Sequence, residues 1–334
     1  MDPDARVCLI MPFLNEVEHL SAVLQSLAAQ TFAPERLFLI AVDNGSSDGS
    51  GALVERWLRD GPLRGELQHV EPPSIPHALN AAIARVPAGS YVVRIDAHTR
   101  YAPDYVATIM TAFSQLGADA WCVGGSPEVI AAAGFGTQLH AALFTNPMGL
   151  GPAAYRSAGR VGPVASVYLG AWRPGVLERV GGYDEAWHAN EDAELAERIR
   201  DAGGSVVRVE AHSEKLITRG ALGALRQWTR YGYWRARTIL RHPRSLRWRH
   251  LAPPAAVVAG VVLAATPPRR LLAVLFAGFA LLAVALRSRR EPPVVTAASL
   301  VYFPLVHAGF GAGMLVGLVS GIAAAAKEAV RRRR

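Results

Sequence analysis

Three short apolar runs constrain the fold more than anything else in the chain: Val7–Met11 (VCLIM), Leu37–Val42 (LFLIAV) and Tyr91–Ile95 (YVVRI). None alternates polar with apolar residues, so each needs cover on both faces, as strands inside a parallel sheet do. Helical periodicity separates them. Leu20, Val23, Leu24 and Leu27 share one face, and Ala52–Arg59 and His77–Arg85 read as further helices. Asn15 stands where it can cap the first helix, with Glu16 and Glu18 in its opening turn. Strand, helix, strand, helix, strand predicts an α/β domain with a mixed, mostly parallel sheet. Each run ends in a polar cluster, at the carboxyl ends of strands where open α/β sheets place their ligands.

From Trp121 to about Arg219 the pattern is looser, with Gly181-Gly-Tyr-Asp-Glu185 and then Asn190-Glu-Asp192 opening a helix through Arg200. Residues 221–245 read as an amphipathic helix dense in Arg, Trp and Tyr, a composition suited to a membrane interface. Three apolar blocks follow, at 251–265, 271–286 and 294–326. The first two are shorter than the roughly 20 residues of a full span. Thr266-Pro-Pro-Arg-Arg270 reads as the turn between them. The third block is long enough for a span plus an interfacial piece, with a break expected near Pro304 or His307. The expected organisation is a globular domain over 1–220, an interfacial helix over 221–245 and a transmembrane region of two to four helices over 246–334.

Charge follows the same division. The chain of 334 residues carries a net +8, but residues 242–334 hold +11 and residues 1–241 hold −3. Arginines flanking apolar blocks meet lipid headgroups, whereas a nucleic-acid partner would need the basic patch on the globular part, so none is expected. Cys8 and Cys122 lie in apolar runs and have no metal-ligand spacing. The first residues, Met1-Asp-Pro-Asp-Ala-Arg, show no signal-peptide pattern. A multi-pass protein of the cytoplasmic membrane, its globular part in the cytoplasm, is the expectation.

Four motifs resemble those of family 2 inverting glycosyltransferases with the GT-A fold, in that family's order and at comparable spacing. They are Pro12-Phe-Leu-Asn-Glu16, Val42-Asp-Asn-Gly-Ser-Ser-Asp48, Asp96-Ala-His98 at the place of the D-x-D motif, and Glu191-Asp192 after G-G-Y-D-E. A further likeness is to membrane-attached members of succinoglycan-type exopolysaccharide synthesis, which also show D-A-H and a C-terminal membrane segment. The resemblance implies an enzyme moving a sugar from a nucleotide-sugar donor, UDP-linked, to a lipid-linked saccharide acceptor with Mn2+ or Mg2+. It implies donor contacts from Pro12, Asn15, Glu16, Asp43, Asn80 and Asp96, with Asp192 as base and Glu191 in support.

Each position also has a plainer use. Asp43 at a sheet edge can accept the imide N–H of uracil, or close an Asx-type turn. Asp96 and His98 straddle one residue of extended chain and can face one cation. Where the family carries a second Asp, His98 is a softer ligand better matched to Mn2+, or it contacts phosphate alone. Asp96 can instead cap the next turn. Asp192 can be an N-cap, or the base that inversion requires. Gln227-Trp-Thr-Arg-Tyr231 is similar to the Q-x-x-R-W box of processive members, with Tyr231 replacing Trp. On a helix Gln227, Arg230, Tyr231 and Trp234 share a face that suits an acceptor or diphosphate, or a plain interfacial belt. Arg156 and Arg173 are candidates for phosphate or acceptor contacts, and His212 is a further ligand or a structural residue. A processive synthase and a catalytically degenerate sugar-binding scaffold are the rival readings. A nucleotidyltransferase is disfavoured because Val7–Leu20 holds no Gly, Lys or Arg for a phosphate loop.

Overall fold

The computed structural model describes residues 5–146, 149, 161–286 and 291–332. Arg156 lies outside them. The nine strands are β1 (Val7–Phe13), β2 (Leu37–Asp43), β3 (Arg64–His69), β4 (Tyr91–Arg94), β5 (Thr99–Tyr101), β6 (Ala120–Ala131), β7 (Gly162–Pro163), β8 (Tyr168–Trp172) and β9 (Ser205–Ile217). They form one sheet in the order β3-β2-β1-β4-β8-β6-β9-β5, with β7 paired to β9. The pairs among β3, β2, β1 and β4 are parallel, and β8 runs antiparallel to both β4 and β6. The sheet is therefore mixed, with its parallel half built by the first 94 residues. Three strands escape the sequence pattern for physical reasons. β3 is a half-exposed edge whose residues RGELQH carry no apolar run. β6 and β9 are long, and their partial exposure breaks the apolar periodicity.

Strand β1 shows why the apolar runs are continuous. Val7, Leu9, Met11 and Phe13 join one core, with Leu20, Val23, Leu24 and Leu27 of the helix α1 (Val17–Ala28). Cys8 and Ile10 join the opposite core, with Ala78, Leu79 and Ala82 of the helix over Ile75–Ile83 and with Trp172, Leu195 and Ile199. Leu9 and Ile10 are both fully buried, one on each side. The expected cap on α1 is absent. Asn15 adopts φ 53°, Glu16 takes the cap position, and no side chain caps the helix from there. Instead the Val17 N–H donates to Asp48 Oδ2 at 3.0 Å.

The chain divides into two compact units, one comprising Met1–Glu128 and Ala153–Leu216 and the other Val129–Pro152 and Ile217–Arg334. Beyond the ends of β6 and β9 the regular elements of the second unit are helices among its described residues, and its principal pair is Ala221–Arg241 against Pro293–Arg332. Gly309, Gly313, Gly317 and Gly321 recur every fourth residue along one stripe of the longer helix. A Cβ at Gly309 would stand 2.7 Å from Thr229 Oγ1, and Cβ atoms at Gly313 and Gly317 would collide with the backbone at Thr229 and Tyr233. This is small-residue packing of the kind that lets helices approach backbone to backbone. Residues 221–241, within the segment expected to lie in a membrane interface, have one face against a helix partner. No break occurs near Pro304, where the helix runs on, with Tyr302 Oη donating to Ala221 O at 3.1 Å.

Of the two to four membrane helices expected, one, Pro293–Lys327, is long and apolar enough to cross a membrane among the described residues. Trp248–Ala264 is apolar but shorter. Gly313→Leu should lower the stability of the solubilised protein by roughly 1–3 kcal/mol through overpacking. Thermal unfolding in detergent checks this, and an unchanged midpoint would contradict the close approach.

Candidate active site

The loops that follow β1 and β2 brace one another. Asn15 N–H donates to Ser46 Oγ at 3.0 Å, and Ser47 N–H donates to Asn15 Oδ1 at 2.8 Å. Glu16 N–H donates to Ser50 Oγ at 2.9 Å. Ser50 Oγ donates in turn to Asp48 Oδ1 at 2.6 Å, and that hydroxyl is the main reason the Asp48 carboxyl sits below its usual range. Pro12 is buried at the end of β1, opposite Val42.

Asp43 closes β2 and is buried. One oxygen makes the turn that its sequence suggests, accepting from Ser46 N–H at 2.8 Å. The other lies 3.6 Å from His69 Nδ1, and a Cβ on Gly51 would come within 2.5 Å of it. Glycine at 51 therefore leaves this carboxylate oxygen clear. Asp43, Gly45, Ser46, His69 and Glu71 line an open groove of about 440 Å³.

The end of β4 holds the second group. Asp96 Oδ2 accepts from Tyr168 Oη of β8 at 3.0 Å, and Asp96 Oδ1 lies 3.1 Å from His98 Nδ1. Burial alone would raise the Asp96 carboxyl. The charges of His98, Lys215 and Arg94 and the Tyr168 hydroxyl outweigh it and hold the carboxyl below the ordinary range. Glu16 Oε1 also stands 3.1 Å from His98 Nδ1, so two carboxylates share that nitrogen. Asp96 first, then Glu16, raise the imidazole against the cost of burial. Lys215 Nζ lies over the Tyr168 ring, 4.7 Å from its centroid. Among the described residues no group of three or more His, Cys, Asp or Glu is arranged to hold a metal ion. His212 is exposed on β9.

The third group comes from the helix Glu191–Asp201. Arg94, two residues before Asp96 on β4, pairs with both acids that open this helix. Its Nη1 donates to Asp192 Oδ1 and its Nη2 to Glu191 Oε1, the latter at 3.3 Å. Tyr183 Oη donates to the same Asp192 oxygen at 3.1 Å. Burial, reinforced by the Asp192 charge, raises the Glu191 carboxyl despite Arg94. Neither acid is an N-cap, because Asn190 takes that position in the left-handed region with no side-chain cap bond. The three non-glycine residues with positive φ among those described, Asn15, Leu169 and Asn190, each adjoin a site residue. Such backbone costs about 1 kcal/mol or more and collects where surrounding structure fixes a geometry.

Most of the remaining sequence candidates have their own partners. Asn80 braces the Gly-Gly-Tyr-Asp-Glu segment: its Nδ2 donates to Tyr183 O at 2.8 Å and to Glu185 Oε1 at 3.0 Å, while its Oδ1 accepts Tyr183 N–H. Gly182 permits this with φ 67°, since a Cβ there would stand 2.7 Å from Asn80 Oδ1. Arg173 closes the end of the helix Tyr105–Gln115, its Nη2 donating to the carbonyls of Phe113, Leu116 and Gly117 and its Nε to Ala120 O. In the helical unit, Gln227 Nε2 donates to Tyr231 Oη at 2.7 Å, Tyr231 meets Trp228 edge to face, Arg230 is exposed and Trp234 is half-buried. Arg94, Tyr168, Tyr183 and Lys215 were missed by sequence reasoning. The one available signal was a charged residue inside the apolar run YVVRI. Arg173→Met should cost roughly 2 kcal/mol or more of stability, by removing charge-assisted bonds, while donor KM stays unchanged. Denaturant unfolding beside steady-state kinetics checks this; a raised KM at unchanged stability would return Arg173 to a ligand role.

The sequence profile of glycosyl transferase family 2 matches residues 8–178. The chain is 32 % identical over 242 residues to succinoglycan biosynthesis protein ExoA of Rhizobium meliloti (strain 1021), covering 70 % of each chain. Mannosyltransferase PcManGT from Pyrobaculum calidifontis, solved with GDP-Man and Mn2+, shares the fold at a TM-score of 0.63 and 19 % identity, over 93 % of this chain and 88 % of that one. S. aureus TarS 1–349 in complex with UDP aligns at a TM-score of 0.51 and 13 % identity, over 98 % and 92 %. Those structures bear on the fold, which is GT-A, while the profile and the identity to a succinoglycan protein settle the lineage: this chain belongs to glycosyl transferase family 2.

Proposed function

We propose that the chain is an inverting, metal-dependent glycosyltransferase. It moves one sugar from a UDP-linked donor to a lipid-linked saccharide at the cytoplasmic face of a membrane, in surface polysaccharide assembly. One observation carries the reading: carboxylates from β2, β4 and the helix Glu191–Asp201 all belong to one compact unit, with Asp43 and Asp96 at the carboxyl ends of their strands. The relative named for succinoglycan biosynthesis and the apolar helix Pro293–Lys327 support a membrane-delivered acceptor. The neighbours solved with GDP-Man and with UDP support a nucleotide-linked donor.

In this reading Asp43 takes the imide N–H of uracil in the groove toward His69, with the Ser46 N–H already fixing its other oxygen. A divalent cation would neutralise the diphosphate leaving group. Asp96 is the protein carboxylate suited to hold it, kept ionised by His98 and Lys215. Among the described residues no three-residue ligand set is present, so the remaining ligands would be donor phosphate oxygens and water. His98 Nδ1 is engaged by Glu16 and Asp96, which leaves Nε2 for phosphate or cation. Asp192 acts as base through Oδ2. It takes the acceptor hydroxyl proton as that oxygen attacks the anomeric carbon, and the bond to the β-phosphate oxygen breaks with its electron pair leaving on UDP. A single displacement inverts the anomeric configuration.

The test is nucleotide release by detergent-solubilised protein from UDP- and GDP-sugars with Mn2+, Mg2+ or EDTA. Release from one UDP-sugar is expected only with metal, reduced roughly 100-fold or more in Asp96→Ala. If no nucleotide sugar raises the unfolding temperature with any metal, the transfer reading fails.

A further inference from the structure

We propose that Arg94 is a positioning residue for transfer, holding the base Asp192 in register with the donor carboxylate Asp96 through a single central strand. The inference rests on the reading of Asp192 as base. Three observations carry it. First, Arg94 is 12 % exposed, with its Nη1 on Asp192 and its Nη2 on Glu191, so one planar fork fixes two consecutive acids. Second, Asp192 is held asymmetrically. Its Oδ1 accepts from both Arg94 and Tyr183 Oη, and its Oδ2 accepts no hydrogen bond among the described residues. Its side chain is 37 % exposed, against 15 % for Glu191, so the acid with a free oxygen is also the one open to solvent. Third, β4 pairs on one edge with β1 and on the other with β8, and Ile95 N–H donates to Ile10 O at 2.8 Å beyond the strand end. Arg94 and Asp96, two residues apart, therefore move as one piece.

The chemistry gives that arrangement a purpose. A base must be held within about 0.5 Å of its productive place, by partners that are themselves fixed. Glu191 and Asp192 are adjacent acids, and a guanidinium that bonds both offsets the repulsion between them. Lysine in place of Arg94 would supply the charge without the fork, so it would hold one acid and not both. The Tyr183 ring lies 5.8 Å from the guanidinium and limits where Arg94 can turn.

The experiment uses the full detergent-solubilised chain and UDP release from whichever UDP-sugar it turns over fastest. Turnover, donor KM and UDP affinity are measured for wild type, Arg94→Met, Arg94→Lys, Tyr183→Phe and Asp192→Asn. Arg94→Met should lose roughly 100-fold in kcat at unchanged UDP affinity and donor KM, with Arg94→Lys recovering part of it and Tyr183→Phe losing less. Retained kcat in Arg94→Met, or a loss of UDP affinity in step with kcat, overturns the positioning role. If Arg94→Met does not fold, Arg94→Lys decides: kcat must fall at constant donor KM. Normal turnover in Asp192→Asn, or none in wild type, overturns instead the reading on which the inference rests.

Discussion

A guanidinium buried in the middle of a sheet has to be paired. Arg94 sits on β4, where the alternative to carboxylate partners is an uncompensated charge in a low-dielectric interior. Removing one partner of a fully buried pair costs about 3–5 kcal/mol, and the exposure of Asp192 makes the cost smaller here. The opening of the helix Glu191–Asp201 answers that demand with two acids in succession. The pairing is one of several ties between the antiparallel and parallel halves, and it lies two residues from Asp96.

The rest of the site is braced around that point. Asn80 and Gly182 dock the segment that carries Tyr183, and Tyr183 completes the cradle of Asp192. Tyr168 reaches from β8 to Asp96, with Lys215 over its ring. On the other side Asn15, Ser46, Asp48 and Ser50 lock the loops after β1 and β2. Site geometry is thus set by hydrogen-bonded loops on a rigid sheet, with left-handed backbone at Asn15 and Asn190 where the chain enters helices and at Leu169 within β8. The helical unit is held by a different means, the glycine stripe of Pro293–Arg332 against Ala221–Arg241.

The parallel half of the sheet was legible because β1, β2 and β4 are apolar on both faces, a pattern few other structures produce. The acids at the strand ends were legible from their position after those runs. What stayed hidden was pairing across the chain. Nothing local in Tyr168 or Lys215 announces a partner far along the chain, such as Asp96 for Tyr168, and Asn15 looked like a cap because capping is a local rule. The bonds of Asn80 and Arg173 to backbone carbonyls were hidden in the same way, since only the fold brings those carbonyls near. Arg94 is the instructive miss. A charged residue within YVVRI contradicts the strand's own pattern, and such a conflict signals a partner carrying the opposite charge.

The most direct measurement is an experimental structure of the chain with UDP and Mn2+. The account predicts uracil beside Asp43 in the groove toward His69, a cation between the diphosphate and Asp96, and Asp192 still gripped by Arg94 with Oδ2 open. A nucleotide bound elsewhere, or a diphosphate remote from Asp96, would contradict it.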